Sequence, residues 1–537
     1  MLKKDIETHL PWQPTTAENN GADSGQTEDR IRHLLNQAVS EGHVCVPEER
    51  LKESLEFRYE TGWEEIDEAL YQLAGTGEIV IEPGDENGSY IYPAAMHRAE
   101  SGITKRLCAM MSLPADLPGQ SVEALIEKVE SRFAVRLSEE QTQALQSVLC
   151  SRASVITGGP GTGKTTLIRT IAEVFRTTGN RVCLAAPTGR AARRLSEITA
   201  RQAHTVHKLL GYHMETKSFD KDPGNPVEAD VIIIDEASMI DADLMHHMLR
   251  ATRTDSRLIL VGDVFQLPPV GPGNVLSDII DSEILPVHHL TEIFRQASQS
   301  TIVRNAHHIR AGNLPELAAF DSGEDRPDFF LVDAQGAENA AAAVVELCTN
   351  RLPDLYGLVP GKDIQVLTPV HKGVAGTISL NRKLQEAINP GNKGIEGANY
   401  LFKTGDRVMH LKNDYSRMVF NGDTGNITRT DLVRQMLRVD FYGREIAYDT
   451  EELKDLTLGY AISVHKSQGS EYRAVILPMI TGHYVMLQRN LLYTAITRAK
   501  QLVVIVGGTK AINIALKNNT PSRRISGLTG RLKNMAV

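Results

Sequence analysis

The chain has 537 residues, 41% of them hydrophobic, which is enough to bury several cores in roughly three or four domains. Its 58 Lys and Arg are outnumbered by 67 Asp and Glu, giving a net charge of -9, so general basicity is excluded as the means of binding a polyanion. The five cysteines form no CxxC pair and no apolar run is long enough to span a membrane, which argues against a zinc site or disulfide framework and predicts a soluble, cytoplasmic protein.

The N-terminal part of the chain is predicted to hold a small helical module. Residues 1–29 are poor in apolar side chains and are expected to be a flexible segment. Residues 30–95 show helical periodicity and then a strand-turn-strand pattern, an order typical of a winged helix. Such modules bind either DNA or protein, and both alternatives stay open. Residues 96–136 are predicted to form a helical connector.

The rest of the chain is predicted to be α/β, with short apolar strands alternating with amphipathic helices. This order indicates parallel sheets covered by helices on both faces. A first domain is expected over residues 137–290, and a second over 291–400 and 457–537. Between the two parts of the second domain, residues 401–456 are β-rich and punctuated by glycine, which predicts a small inserted barrel. The expected strands are 154–157, 182–186, 231–234 and 258–261 in the first domain and 364–367, 474–477 and 502–506 in the second.

Two stretches are locally basic despite the acidic total. Residues 181–210 contain six cations against the single anion Glu197, and residues 501–537 contain six Lys and Arg and no acid. A solvated surface is the alternative explanation for either stretch.

A phosphate-binding loop is predicted after the first strand of the first domain. Its glycines let backbone N–H groups surround a phosphate at a helix N-terminus, Lys164 neutralises the β- and γ-phosphates, and the Thr165 hydroxyl ligates Mg²⁺. The loop consists of Gly158, Gly159, Pro160, Gly161, Thr162, Gly163, Lys164, Thr165 and Thr166.

An acidic pair completes the predicted ATP site. Asp235 and Glu236 follow the apolar strand 231–234, so Asp235 is expected to hold Mg²⁺ and Glu236 to orient the attacking water. The two motifs in this order predict that the chain binds and hydrolyses a nucleoside triphosphate. Arg295 and Arg498 are candidates for the positive charge that stabilises the transition state, although spacing alone leaves surface ion pairs as the alternative.

Taken in order, these segments resemble the motif series of superfamily 1 helicases over residues 137–510. Residues 137–141 resemble the adenine-reading Q motif, with Gln141 as the reader. Residues 186–192 and 204–207 resemble motif Ia and the DNA-contacting segment after it, and 262–270 resemble motif III, with Gln266 as the γ-phosphate sensor. Residues 294–296, 464–471 and 493–500 resemble motifs IV, V and VI.

Within that superfamily the likeness is to RecD-like ATP-dependent DNA helicases, carried also by residues 367–373 and 380–385. It implies two RecA-like P-loop domains with an SH3-like barrel insert, and a strand-separating hairpin near residues 211–228. It further implies 5′ to 3′ movement on single-stranded DNA and unwinding of duplex in repair or recombination. One departure is that no space precedes the winged-helix candidate for the helix-hairpin-helix units of the family's long form, so a short form is expected.

The resemblance also implies the remaining site residues and partners. Arg295 and Arg498 become arginine fingers, and Gln141 and Glu471 join the nucleotide contacts. The expected DNA contacts are Pro187, Thr188, Gly189, Arg190, Thr205, His207, His465 and Ser467. The motor is expected to work as a monomer on single strands and junctions, with any protein loader unknown. Two alternatives remain at this point: an RNA helicase of the same superfamily, and an ATPase switch that gates assembly.

Overall fold

A computed structural model of the chain describes residues 27–84, 88–115, 121–133, 136–293, 299–319, 327–391, 393–414, 416–519 and 524–535. Most of the flexible segment expected at 1–29 therefore lies outside the described residues, and so does motif IV with Arg295. In the part of the chain described, no helix has both the length and the hydropathy needed to cross a membrane.

The N-terminal module contains three helices and a small antiparallel sheet. Its elements are α1 (Thr27–Ser40), β1 (Val46–Pro47), α2 (Glu48–Tyr59), α3 (Trp63–Gly75), β2 (Ile79–Pro83) and β3 (Ser89–Pro93). The apolar positions that predicted helices, among them Ile31, Leu34, Ile66 and Leu70, form one buried cluster. The sheet order is β1-β3-β2. Helices followed by a hairpin are in the predicted order, and the winged-helix assignment itself stays a prediction.

The first α/β domain is a parallel sheet with the strand order β11-β4-β10-β9-β5-β6. Helices α4 (Ala94–Met111) and α5 (Val122–Phe133) lead into it where a helical connector is predicted. The four predicted strands of this domain lie within β4, β5, β9 and β10, because continuous apolar runs suit strands buried on both faces. Its elements are α6 (Glu139–Cys150), β4 (Ala153–Gly158), α7 (Lys164–Thr177), β5 (Val182–Ala186), α8 (Gly189–Thr199), β6 (Ala203–Thr205), α9 (Val206–Leu210), β7 (Tyr212–His213), β8 (Ser218–Phe219), β9 (Val231–Ile234), α10 (Ala242–Ala251), β10 (Arg257–Gly262), α11 (Val275–Ser282) and β11 (Val287–Leu290).

A second parallel sheet, with the order β12-β13-β24-β23-β14-β22, forms the second α/β domain. Its first elements are α12 (Thr301–Arg310), β12 (Ala318–Ala319), β13 (Phe329–Asp333), α13 (Ala337–Glu346), α14 (Leu352–Tyr356), β14 (Ile364–Thr368) and α15 (Thr377–Ile388). Its later elements are β22 (Ala461–Ser463), β23 (Tyr472–Met479), α16 (Arg489–Ile496), β24 (Ala499–Gly507) and α17 (Thr509–Lys517).

The insert between α15 and β22 is β-rich, as its glycine spacing predicts. After a short pair, β15 (Ile395–Glu396) and β16 (Leu401–Phe402), a five-stranded antiparallel sheet has the order β20-β19-β18-β17-β21. Its strands are β17 (Arg407–His410), β18 (Thr424–Asp431), β19 (Met436–Phe441), β20 (Arg444–Tyr448) and β21 (Leu456–Leu458). Val408 and Phe441 belong to the same apolar cluster as Phe330 of the second domain, so the insert is continuous with that domain's core.

The C-terminal helix α18 (Leu528–Met535) packs in a place that the sequence does not indicate. The prediction assigns all of residues 457–537 to the second domain, but Leu528 and Leu532 lie in the first domain's core beside α4 and α11. Just before the helix, Arg524 donates to the carbonyl oxygens of Pro269 and Gly273. The tail therefore connects the second domain back to the first.

An acidic pair, the buried Glu100 and the half-buried Asp278, anchors this tail. The Ser526 hydroxyl lies 2.6 Å from Glu100 Oε1 and 2.9 Å from Asp278 Oδ2. Burial raises the pKa of Asp278 to about 7, and the neighbouring Glu100 and Asp281 add to the rise. Since the ordinary value is 3.8, the unfolded chain releases this proton first as pH rises, and Asp278 lowers the free energy of unfolding progressively between about pH 4 and pH 7.

The Asp278→Asn substitution is expected to remove that pH-dependent cost, since an amide stays neutral. The melting temperature of the variant relative to the unmodified chain is expected to be higher at pH 8 than at pH 5, as measured by thermal unfolding in both buffers. Asp354→Asn, at an exposed carboxylate on α14, is the control and is expected to give no such difference. An equal shift for Asp278→Asn at both pH values would contradict the assignment.

Candidate nucleotide and nucleic-acid sites

The predicted phosphate-binding loop joins β4 to α7 with the geometry that an anion site needs. Gly161 and Gly163 both have a φ of 75°, a left-handed conformation that favours glycine and turns successive N–H groups toward one point. Lys164 is the first residue of α7, and its Nζ donates to the carbonyl oxygens of Gly158 at 2.6 Å and Gly159 at 2.8 Å. The ammonium group is thus held over the mouth of the loop.

The acidic pair lies at the carboxyl end of β9, on the same sheet edge as the loop. Asp235 Oδ1 accepts a hydrogen bond of 2.9 Å from the backbone N–H of Glu236, whose φ is 52°. Burial, together with the adjacent Glu236 carboxylate, raises the pKa of Asp235 to about 6. A divalent cation would offset both effects, so Asp235 fits the role of Mg²⁺ ligand that is predicted for it.

The second domain brings Arg498 to this pair. Arg498 is buried just after α16, and its Nη1 lies 3.9 Å from Glu236 Oε1. Its Nε donates to the Thr494 carbonyl oxygen at 3.3 Å. The two residues are far apart in sequence, yet they meet across the cleft between the domains. Arg295, the other predicted finger, lies outside the described residues.

Residues 262–270 contact both motif VI and motif V of the second domain. The Tyr493 hydroxyl donates to Asp263 Oδ2 at 2.7 Å, and the backbone N–H of Leu267 donates to Thr494 Oγ1 at 2.9 Å. Gln468 Nε2 donates to the Leu267 carbonyl oxygen at 3.2 Å. Gln266 is buried in this contact, and among the described residues its Oε1 has no hydrogen-bond partner.

Two predicted nucleotide contacts are engaged in other interactions. Gln141 is buried, caps α6 together with Ser138, and donates from Nε2 to the Thr162 carbonyl oxygen at 3.2 Å. This hydrogen bond therefore supports the backbone of the phosphate-binding loop. Glu471 pairs with Arg194 at 2.5 Å and with Lys500 at 3.2 Å. The nucleotide roles of Gln141 and Glu471 remain predictions.

A groove of about 320 Å³ runs between the two α/β domains, and seven of the eight predicted DNA contacts line it. They are Pro187, Thr188, Gly189, Arg190, Thr205, His207 and His465. The hydroxyls of Thr188 and Thr205 cap the N-termini of α8 and α9. Arg190 Nη1 donates to Ser470 Oγ at 2.7 Å and to the Tyr472 hydroxyl at 2.9 Å, so it also joins the domains.

The eighth predicted contact, Ser467, differs from the others. Its side chain is fully buried, and its hydroxyl donates to the Val464 carbonyl oxygen at 2.7 Å. The neighbouring Lys466 lines the groove in its place and donates to Asn421 Oδ1 at 2.6 Å. Asn421 and Phe420, from the barrel insert, were not predicted. The available signal was the polar, glycine-containing segment 421–426, which by itself indicates only the barrel insert.

Comparison with known proteins places three family models on the chain. The AAA domain model matches residues 136–327, the model of the SH3 domain of ATP-dependent RecD-like DNA helicases matches 380–441, and the model of the UvrD-like helicase C-terminal domain matches 458–506. The RecBCD enzyme subunit RecD of Mycobacterium tuberculosis is 33% identical over 432 residues, which cover 74% of this chain and 73% of that protein. This chain belongs to the RecD-like helicases. The predicted fold, two RecA-like domains with an SH3-like insert, is thereby confirmed.

Two further similarities also cover more than two thirds of this chain. The ATP-dependent RecD2 DNA helicase of Deinococcus radiodurans is 37% identical over 434 residues, which cover 81% of this chain. This chain spans 57% of the length of that relative. A crystal structure of Pif1 helicase from Bacteroides in complex with ADP-AlF3 and ssDNA is 20% identical, with a TM-score of 0.43, and matches 69% of this chain and 92% of its own.

Proposed function

We propose that this RecD-like chain is an ATP-driven motor that moves 5′ to 3′ along single-stranded DNA and unwinds duplex. The observation that carries the proposal is the position of Arg498, which comes from the second domain and faces Glu236 of the first at 3.9 Å. A nucleotide bound between Glu236 and Arg498 would draw the two domains together, and its hydrolysis would release them. The direction of movement rests on the family resemblance.

The catalytic roles follow from the arrangement around the phosphate-binding loop. Lys164 would move from the carbonyl oxygens of the loop to the β- and γ-phosphates, and Glu236 would orient the attacking water. Thr165 and Asp235 would hold Mg²⁺, which when bound neutralises charge on the phosphate oxygens. Pro160, Thr162 and Thr166 shape and continue the loop, so that its N–H groups surround the phosphates.

For the protein to move, opening and closing of the nucleotide cleft must also change the contacts with DNA. The groove is lined by α8 and α9 of the first domain and by His465 and Lys466 of the second, so a change in domain spacing would change both sets of contacts. Alternating tight and loose contacts would move the protein along the strand. Because these contacts are suited to the sugar-phosphate backbone, binding is expected to depend strongly on salt and weakly on sequence.

The hairpin formed by β7 and β8 is the proposed strand-separating element. Tyr212 pairs with Phe219, and Met214 near the turn is 54% exposed. An opening of about 790 Å³ separates this hairpin from Lys412 and Arg417 of the barrel insert. Lys412 pairs with Asp455 and Arg417 pairs with Glu452, so the exposed Met214, rather than free basic charge, is what suits this hairpin to a place where the two strands part.

The proposal is tested by ATP hydrolysis with and without single-stranded DNA or RNA, followed by unwinding of duplexes with a 5′ or a 3′ tail. Stimulation by DNA with unwinding only from the 5′ tail is the expected result. Stimulation by RNA alone would identify an RNA helicase, and no stimulation by either polymer would indicate a nucleotide-gated switch. Unwinding from the 3′ tail would overturn the direction.

Gln266→Ala is expected to uncouple the two sites, because Gln266 lies between the cleft and the contacts to motifs V and VI. Basal ATP hydrolysis would continue, while its stimulation by single-stranded DNA would fall roughly tenfold or more, in line with the loss of one buried polar contact. Steady-state phosphate release with and without a DNA oligomer measures this ratio. Gln143→Ala, an exposed position on α6, is the control. Unchanged stimulation in Gln266→Ala would rule out this residue as the coupler.

A further inference from the structure

A histidine that belongs to none of the predicted motifs faces the phosphate-binding loop from the second domain. His307 lies on α12, and a Cβ placed on Gly159 would be 3.6 Å from its Cε1 and 3.7 Å from its Nε2. The Tyr493 hydroxyl is 3.4 Å from the same point. A side chain at position 159 would therefore touch the imidazole, which lies in the same domain as Arg498.

The ring nitrogen of His307 that lies nearest the loop, Nε2, is a buried polar atom without a hydrogen-bond partner in the described part of the chain. Buried polar atoms are nearly always paired, so an unpaired one beside a ligand site indicates a partner that arrives with the ligand. Tyr493, the other side chain close to Gly159, already donates to Asp263 at 2.7 Å.

The charges around His307 favour a neutral ring. Burial lowers the pKa of His307, the nearby Arg310 and His308 lower it further, and Asp263 opposes them. A neutral imidazole carries one N–H, so it can donate one hydrogen bond without adding a full charge next to Lys164. Hydrogen bonds to an anionic acceptor are about twice as strong as those between neutral groups.

The position of Lys164 identifies which part of the nucleotide His307 would meet. The Lys164 ammonium lies 2.8 Å from the Gly159 carbonyl oxygen, so the phosphates that it neutralises must bind beside Gly159. His307 approaches Gly159 from the opposite domain. In the proposed site, the terminal phosphate would be the one that projects farthest from the loop toward that domain.

We propose that His307 Nε2–H donates a hydrogen bond to the γ-phosphate of ATP, so that α12 of the second domain distinguishes triphosphate from diphosphate. This inference rests on the proposed ATP site, and it adds a binding residue outside the motif series. Release of the γ-phosphate would break this hydrogen bond, so α12 of the second domain would no longer be held to the nucleotide.

The test compares the affinities of the full chain for a fluorescent, non-hydrolysable ATP analogue and for the matching ADP derivative. His307→Ala is expected to weaken binding of the triphosphate about tenfold and to change diphosphate binding less than about twofold. His307→Gln keeps an N–H near the Nε2 position and is expected to restore most of the lost affinity. His33→Ala, at an exposed histidine on α1, is the matched control and should change neither.

The other outcomes overturn the inference. Equal losses for both nucleotides would show that His307 only shapes the loop, and unchanged affinities would show that it makes no contact. If His307→Ala does not fold, as judged by thermal unfolding, His307→Asn gives the same comparison because its side chain is too short to reach the phosphate. DNA stimulation of the unmodified chain tests the motor separately: its absence would reject the proposed function while leaving a triphosphate-selective loss intact.

Discussion

Replacing Lys164 with Ala is expected to abolish ATP turnover while leaving binding to single-stranded DNA largely intact. The side chain places its ammonium group at the mouth of the loop, within hydrogen-bond distance of the Gly158 and Gly159 carbonyl oxygens. Without it, charge that develops on the β- and γ-phosphates has lost a preorganised partner, and removal of one such partner typically lowers turnover by about 10²–10³-fold.

Phosphate release at saturating DNA measures turnover, and fluorescence anisotropy of a labelled oligomer measures DNA binding. Lys128→Ala, at an exposed position on α5 of the first domain, is the control and should match the unmodified chain in both assays. Normal turnover by Lys164→Ala would reject the nucleotide-site assignment. Loss of DNA binding together with turnover would instead mean that Lys164 supports the groove, since the two sites lie on different parts of the cleft.

The nucleotide loop could be predicted from sequence because its chemistry is local. Gly158 to Thr166 are contiguous, the strand before them is buried on both faces, and a helix begins at Lys164 itself. Backbone conformation and side-chain type together determine such a site, so few long-range contacts are needed to recognise it. Seven of the twelve strands in the two sheets were predicted in the same way, because a continuous apolar run is also a local feature; the strands that were not predicted are β6, β11, β12, β13 and β22.

Side-chain direction was not predictable, and it separates Ser467 from its neighbours. Ser467 lies in a 3₁₀ turn, His465–Ser467, with its hydroxyl turned inward to Val464, so Lys466 lines the groove. Gln141 is likewise turned back onto the loop backbone. A motif gives the residue type and its order, while tertiary packing decides which polar atom is left to meet a ligand.

Apolar periodicity along a helix predicts which residues are buried, but it does not predict which surface covers them. Leu528 and Leu532, four residues apart, lie on one face of α18, and that face packs on the first domain although the chain arrives from the second. His307 presents the same problem for polar residues: nothing in its neighbourhood along the chain indicates that α12 faces Gly159. Both placements depend on how the two domains meet.

Arg498→Ala is expected to lower kcat for ATP hydrolysis by about 10³-fold, the lower end of the effect that an arginine finger has. Arg498 is buried beside Glu236, but the distance of 3.9 Å is longer than a hydrogen bond, so the pair is not a tight structural ion pair. A buried guanidinium at this distance from Glu236, the proposed catalytic carboxylate, would be placed to turn its N–H groups toward the γ-phosphate when the cleft closes.

Kinetics of ATP hydrolysis at saturating DNA separate a catalytic role from a structural one. If Arg498 acts in the transition state, kcat falls while KM for ATP changes little, and Arg498→Lys restores only part of the rate because an ammonium group cannot form the forked contact. Arg473→Ala, an exposed residue on β23 that pairs with Asp363, is the control and should keep the full rate. If Arg498→Ala lowers the melting temperature but leaves kcat per folded molecule unchanged, Arg498 is a structural contact between the domains. Another residue of the second domain would then have to supply the positive charge in the transition state.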